Sequence, residues 1–290
     1  MADGNPKLAV LGLGTMGRAM AASALRKGIP TVVWNRNPEA AIGVVSEGAE
    51  VTDSVGDAVK GVDVVITMVS DTAAVTSIAV DFGMLEALPS GAVWAQMSTI
   101  GVEGTAAISA IVEERRPDVL LVDAPVSGSK VPAEQGTLTI FASGPKQARP
   151  MVEPVFDAIG KRTVWLGAVG MGSRMKLVNN TLLAFSAEGV ANSLALARLL
   201  GIDVHSVRDA FEGGPLVSTW MAGKLSRIEE DNYSPEFPLA LALKDVRLAL
   251  EQADPQRFGV LTSLAREWSE IVEKGLGGQD VTVVTRSLES

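Results

Sequence analysis

Cysteine is absent from the 290 residues, and histidine and tyrosine each occur once. Without cysteine there is no disulfide framework and no thiolate metal site. The lone histidine, His205, rules out a multi-histidine centre, so no metal is expected. His205 follows Gly201-Ile202-Asp203 and reads as an exposed residue at a helix start. Neither a G-x-S-x-G elbow nor a phosphate-binding G-x-x-x-x-G-K-[ST] run is present. Apolar runs are broken by Gly, Asn, Pro or charge before they reach membrane-spanning length, and Met1 to Pro6 lacks the basic and apolar regions of a secretory leader. Basic residues are the minority, 25 against 34 acidic, for a net charge of −9. Acidic balance argues against a nucleic-acid or anionic-membrane partner. A soluble, cytoplasmic globular protein is expected.

The chain has enough apolar content, 47%, for a real core, which excludes disorder. Its length suits one large domain or two ordinary domains of roughly 100–200 residues each. The first part alternates strand and helix patterns. Strands are expected at Lys7–Gly12, Thr31–Trp34, Val62–Val69, Ala92–Gln96 and Val119–Val122, with helices at Met16–Lys27 and Val102–Glu114 between them. Such alternation predicts βαβ units and a parallel sheet. A further strand pair, Leu138–Ala142 and Thr163–Leu166, flanks a helix at Lys146–Ile159. After a glycine-rich hinge at Gly167–Gly172 the pattern turns helical: Ser173–Leu200, Val204–Phe211, Val217–Ile228, Leu239–Ala253 and Val260–Lys274. The long helix is apolar around most of its circumference and is expected to be buried on several sides. The domains are set at 1–168 and 169–290.

Gly12-Leu13-Gly14-Thr15-Met16-Gly17 is G-x-G-x-x-G between the first strand and the first helix. The first glycine permits the tight turn, the second lets backbone approach a pyrophosphate, and the third lets helix pack on strand. Any strand–helix glycine turn could read this way, but its place at the first βα junction favours a dinucleotide. The second strand ends in Trp34-Asn35-Arg36-Asn37-Pro38, with no acid before Glu39 to hold a ribose 2′-hydroxyl. Arg36 either lies solvated or pairs with a 2′-phosphate, and Asn35 can add a hydrogen bond. The expectation is NADP(H) over NAD(H).

With thiol and imidazole excluded, an acid or base must come from Lys, Asp, Glu or Tyr. Lys176 and Asn180 are four residues apart in a helical run and share a face. Lys176 is either a snorkelling surface cation or a desolvated proton donor to a carbonyl oxygen. Asp123-Ala124-Pro125-Val126-Ser127-Gly128-Ser129-Lys130 leaves the carboxyl end of a strand, the edge where open α/β sheets bind ligands. Ser127, Gly128 and Ser129 form either an ordinary loop or a small cradle of donors for a carboxylate.

Four blocks in this order, GLGTMG at Gly12–Gly17, DAPVSGSKVPAEQGTL at Asp123–Leu138, GMGSRMKLVNN at Gly170–Asn180 and FPLALALKDVRLAL at Phe237–Leu250, resemble the β-hydroxyacid dehydrogenase family over about Lys7 to Arg286. That family includes 3-hydroxyisobutyrate dehydrogenases, tartronate semialdehyde reductases and glyoxylate/succinic semialdehyde reductases; the blocks look most like the NADPH-using reductases. The resemblance implies an α/β N-terminal Rossmann domain with a parallel sheet, a long connecting helix and an all-α C-terminal domain that forms dimers or tetramers. It implies Lys176 as the catalytic lysine, Asn180 as its substrate-orienting partner, and Ser127, Gly128 and Ser129 as the substrate-carboxylate loop. Gly12, Leu13, Gly14, Thr15, Met16, Gly17, Asn35 and Arg36 match cofactor positions. So do Met68, Val69 and Ser70 over the adenosine ribose, and Thr99 and Lys244 beside the nicotinamide.

Two places depart from the family pattern, one a single residue and one a stretch of three. Gln96 stands where an acid is usual, and Leu241-Ala242-Leu243 before Lys244 is apolar, which predicts a lining unsuited to a very small, polar acid. The implied activity is NADPH-dependent hydride transfer to a short semialdehyde or keto acid. An NAD-dependent 3-hydroxyisobutyrate dehydrogenase, an imine reductase and a non-catalytic nucleotide binder are the alternatives; Lys176 argues against the last two.

Overall fold

In the computed structural model, residues 4–288 are described; Met1 to Asp3 of the segment read for a leader lie outside them. The chain divides into two compact units, Met1–Lys176 and Leu177–Ser290.

The first unit is built on β1 (Leu8–Leu11), β2 (Thr31–Trp34), β3 (Glu50–Val51), β4 (Val64–Thr67), β5 (Val93–Gln96) and β6 (Leu120–Asp123), paired in parallel in the order β3-β2-β1-β4-β5-β6. Order reverses between β1 and β4, the switch point at which such sheets bind ligands. Successive side chains go to opposite faces, as a pleat requires. Leu8, Val10, Val64 and Ile66 join one core cluster with Met20 and Phe156, while Ala9, Leu11, Val65 and Trp94 join the other with Met84 and Ile108. Burial on both faces is why these strands read as continuous apolar runs.

Around the sheet lie α1 (Thr15–Arg26), α2 (Ile42–Val45), α3 (Val55–Val59), α4 (Thr72–Thr76), α5 (Met84–Ala87) and α6 (Gly101–Arg115). Beyond β6 come β7 (Val126–Ser127), α7 (Lys130–Glu134), β8 (Leu138–Ala142), α8 (Arg149–Ile159) and β9 (Gly160–Trp165). These strands form a second sheet, β7-β8-β9, with β7 antiparallel and β9 parallel to β8. The helix expected over Lys146–Ile159 is a 3₁₀ turn at Lys146–Ala148 followed by α8, and β9 starts at Gly160 rather than Thr163.

The helix α9 (Met171–Leu199) runs for 29 residues and carries the chain into the second unit. That unit continues with α10 (Val204–Phe211), α11 (Thr219–Glu229), α12 (Leu239–Leu250) and α13 (Gly259–Ile271), and has no β-strand among its described residues. Its main core gathers Ala184, Ala187 and Ala191 of α9 with Leu239, Leu243, Leu264 and Trp268. Burial of α9 on several sides does not hold. Val178, Leu182, Leu196 and Leu199 are 63%, 69%, 56% and 83% exposed. The helices of this unit cover one flank of α9 and leave an apolar stripe on the other.

A buried ion cluster fixes the entry to α12. Lys224 is 2% exposed, and its ammonium lies 2.9 Å from Asp280 Oδ1 and 2.9 Å from Glu236 Oε2. Asp280 also accepts the N–H groups of Glu236 and Phe237, both at 3.0 Å. Burial opposes ionisation of Asp280, but the Lys224 charge and these donors outweigh it and hold its pKa below the usual aspartate value. His205, one residue into α10, is exposed beside Asp209 and Glu229, as expected.

Candidate active site

The glycine turn has the geometry its sequence requires. Gly12 has φ +100°, and a Cβ there would lie 2.5 Å from the Met68 carbonyl oxygen and 2.6 Å from Val69 Cγ1. Only glycine fits, and the contact brings the turn against Met68 and Val69. A Cβ on Gly17 would run into the Gly12 carbonyl oxygen. Gly14 differs: its φ is −65°, and a Cβ there would meet no atom within 4 Å. Gly14 is also the N-cap of α1, where no side chain caps the helix and the first turn has no acidic residue. Open space above bare N–H groups at a helix N-terminus fits a pyrophosphate. Thr15 and Met16 open that helix.

Asn35 holds this turn to the end of β2. Its Oδ1 accepts the Leu13 N–H at 2.9 Å, and its Nδ2 donates to the Asn37 carbonyl at 2.9 Å. Arg36 beside it is exposed and makes no ion pair among the described residues. On the other side of the turn, Ser70 donates to Asp71, which caps α4, and the Val69 N–H reaches Ser98 Oγ at 2.9 Å.

Gln96, the departure from the family acid, is 2% exposed. Its Oε1 accepts the Ser98 N–H at 2.7 Å, its Nε2 donates to the Ser98 carbonyl at 2.9 Å, and Thr67 Oγ1 lies 3.4 Å away. A neutral amide can face both an N–H and a carbonyl, which a carboxylate cannot. This side chain and the Ser98 hydroxyl together pin the segment leading to Thr99, which is half-buried.

Ser127 ends β7 and is half-buried; Gly128 has φ +131°, and a Cβ there would meet Leu138 Cδ2 at 2.7 Å. Ser129 is the N-cap of α7 without capping it through its side chain. At the root of this loop stands Asp123, to which the sequence alone assigns no role. Asp123 is 0% exposed; its Oδ1 accepts the Ser173 hydroxyl at 2.7 Å, and its Oδ2 accepts the Ser173 N–H at 2.8 Å and the Ser143 hydroxyl at 3.1 Å. Burial raises its pKa, against the pull of the Ser173 and Ser143 donors. Lys176, half-buried, follows Ser173 by one turn of α9.

In the second unit Asn180 is buried, and its amide is engaged by neighbours. Its Nδ2 donates to Asp245 Oδ2 at 2.5 Å, and its Oδ1 accepts from Asn179 at 2.9 Å. Asp245, 4% exposed, lies with its Oδ1 3.0 Å from the Lys244 ammonium. One carboxylate thus links two predicted positions, Asn180 and Lys244. The signal available in sequence was the adjacent Lys244-Asp245 pair. The apolar stretch before it is mostly enclosed. Ala242 and Leu243 are 3% and 2% exposed and belong to the core, and only Leu241 is exposed.

The switch-point glycine turn, with its bare helix N-terminus, defines a dinucleotide-binding domain, and the comparisons with known proteins supply the class of reaction. Residues 7–167 match the NAD-binding domain of 6-phosphogluconate dehydrogenase, and residues 170–288 match the NAD-binding domain of NADP-dependent 3-hydroxyisobutyrate dehydrogenase. Glyoxylate/succinic semialdehyde reductase 1 of Arabidopsis thaliana is 33% identical over 282 residues, 96% of this chain and 97% of the relative. The 3-hydroxyisobutyrate dehydrogenase structure of Salmonella typhimurium superposes with a TM-score of 0.89 at 26% identity, covering 98% of this chain and 100% of that one. The Mycobacterium tuberculosis 3-hydroxyisobutyrate dehydrogenase, described with L-serine, gives a TM-score of 0.85 at 27% identity, covering 99% and 100%. The chain belongs to the β-hydroxyacid dehydrogenase family and is an NAD(P)-dependent oxidoreductase.

Proposed function

We propose that this chain is an NADPH-dependent reductase of short semialdehydes or keto acids, working reversibly with the hydroxy acid. The glycine turn Gly12–Gly17, the Met68–Ser70 loop, Thr99 and Lys244 hold the coenzyme, and Arg36 pairs with its 2′-phosphate. When bound, the nicotinamide supplies a hydride to the carbonyl carbon. Ser127, Gly128 and Ser129 hold the substrate carboxylate. Lys176 donates a proton to the carbonyl oxygen and stabilises the developing alkoxide charge beforehand. Asn180, held by Asp245, orients that oxygen.

The observation that carries this reading is a half-buried lysine, Lys176, in the unit that also holds the glycine turn and the Ser127–Ser129 loop. The preference for NADPH rests on Arg36, exposed at the end of β2 with no acid beside it. The Arabidopsis relative is named for glyoxylate and succinic semialdehyde, and the Mycobacterium structure for L-serine, a 3-hydroxy acid. Ala242 and Leu243 sit in the core, so the argument against a small, polar substrate rests on Leu241 alone.

The exposed stripe on α9 supports a homodimer. Positions 178, 182, 185, 189, 192, 196 and 199 repeat every 3.5 residues on average, the spacing of a helix–helix seam, and five of the seven are Val, Leu or Phe.

The test is oxidation of NADPH and NADH by purified protein against a panel of semialdehydes, keto acids and cyclic imines. Turnover of a carboxylate-bearing aldehyde with NADPH supports the reading. NADH preference points to an oxidative 3-hydroxyisobutyrate-type enzyme, imine turnover to an imine reductase, and tight NADPH binding without turnover to a nucleotide binder.

A further inference from the structure

Among the described residues, the buried polar clusters outside the proposed binding groups include Lys224 with Asp280, Gln96 with Ser98, and Asp123 with Ser143 and Ser173. The first secures the entry to α12 and the second a cofactor-side loop. The third joins two parts of the proposed chemistry.

Asp123 is the last residue of β6. Its backbone N–H donates to the Ser143 carbonyl at 2.9 Å and its carbonyl accepts the Ser143 N–H at 2.8 Å. The next N–H, of Ala124, reaches the Gln96 carbonyl at 2.8 Å. The main chain of Asp123 is therefore locked into the sheet edge from which the Ser127–Ser129 loop departs. Its side chain points the other way in function: both carboxylate oxygens bond Ser173 in the first turn of α9. Ser143 Oγ completes the tie by accepting the Gly172 N–H at 2.9 Å. A Cβ on Gly172 would collide with the Phe141 carbonyl oxygen and lie 2.7 Å from that of Asp123, so the helix start is seated as closely as backbone allows. Thr105 Oγ1, from α6, lies 2.8 Å from Ser173 Oγ.

A carboxylate at the N-terminus of a helix is favoured by the bare N–H groups and by the macrodipole. Ser173 and Lys176 are three residues apart, neighbours on one helix surface. Three residues separate Asp123 from Ser127 in the other direction. We propose, resting on the reductase reading above, that Asp123 is a positioning residue: by anchoring the first turn of α9 to the root of the Ser127–Ser129 loop, it fixes the distance between Lys176 and the substrate carboxylate. Such a residue touches no reacting atom, and it governs turnover because displacements near 1 Å can cost about a hundredfold in rate.

The variants are Asp123→Asn, which keeps the shape and removes the charge and one acceptor, and Ser173→Ala, which removes the hydroxyl alone. Three readouts are taken: kcat and KM with the best panel substrate, the primary isotope effect on kcat with 4-deuterated NADPH, and amide hydrogen exchange over residues 170–180. Asp123→Asn is expected to lower kcat by about tenfold or more, raise the isotope effect as the chemical step becomes limiting, and leave NADPH affinity within about twofold. Exchange in the first turn of α9 accelerates. Ser173→Ala shows the same pattern, more weakly, and carries the test alone if Asp123→Asn does not fold. Unchanged kcat and isotope effect in both variants overturns the proposal, and so does a loss of NADPH affinity as large as the loss of kcat. If the wild-type protein turns over nothing in the panel, the reductase reading fails on its own; unchanged exchange at 170–180 then overturns the anchor separately.

Discussion

Gly17 packs against Gly12 so closely that a single added carbon would meet the Gly12 carbonyl oxygen, whereas a carbon added to Gly14, three residues earlier, would meet nothing within 4 Å. The two glycines therefore serve different ends. Gly17→Ala forces α1 away from β1 and is expected to cost about 1–3 kcal/mol or more of stability. Gly14→Ala, at an ordinary φ of −65°, is expected to leave the melting temperature nearly unchanged and to weaken coenzyme binding severely. Thermal unfolding and NADPH fluorescence titration of the pair separate the effects; equal loss of stability in both variants would contradict this division.

Arg36→Ala removes the guanidinium proposed to meet the 2′-phosphate. Charge-assisted hydrogen bonds of this kind are worth about 1.5–3 kcal/mol, so the ratio of NADPH to NADH efficiency is expected to fall by roughly 10–100-fold. An unchanged ratio assigns Arg36 to the solvent.

Asp280 and Lys224 form a buried pair whose separation should be costly. Asp280→Asn leaves the Lys224 ammonium buried with only Glu236 and is expected to destabilise the second unit by roughly 3–5 kcal/mol. The sign with pH follows from the lowered Asp280 pKa. Its stabilisation is complete above the unfolded aspartate value of about 3.9 and is lost as pH falls through the lower folded value. Denaturant unfolding should show wild type and Asp280→Asn far apart at neutral pH and converging in strong acid. A gap that widens on acidification would contradict the pairing.

Leu182 and Leu199, 69% and 83% exposed on α9, test the seam. Sedimentation velocity is expected to show a dimer or larger assembly for the wild type, shifted toward monomer by Leu182→Glu. A wild-type monomer at micromolar concentration would remove the homodimer.

Much of this was readable in the sequence because the requirements are local. The glycine turn answers to the φ and close approach of single residues, and the strands of the large sheet answer to burial on both faces. Long-range hydrogen bonds leave no such mark. Asp123 meets Ser173 across 50 residues, Asn180 meets Asp245 across 65, and Lys224 meets Asp280 across 56, with no periodicity to announce any of them. β3 and β7, two residues each, are too short for any alternation to show. The long apolar helix was read as enclosed because composition reports that a face avoids water, not which chain covers it. Leu243 was read as lining for a related reason: an apolar residue beside a functional one is more simply a core residue.

Lys176 bears the central claim, and Lys176→Met tests it while keeping most of the apolar stem. With the best substrate from the panel, kcat is expected to fall by at least about two orders of magnitude, while NADPH binds within about twofold of wild type. Turnover close to that of the wild-type protein would contradict the role of this lysine as the proton donor.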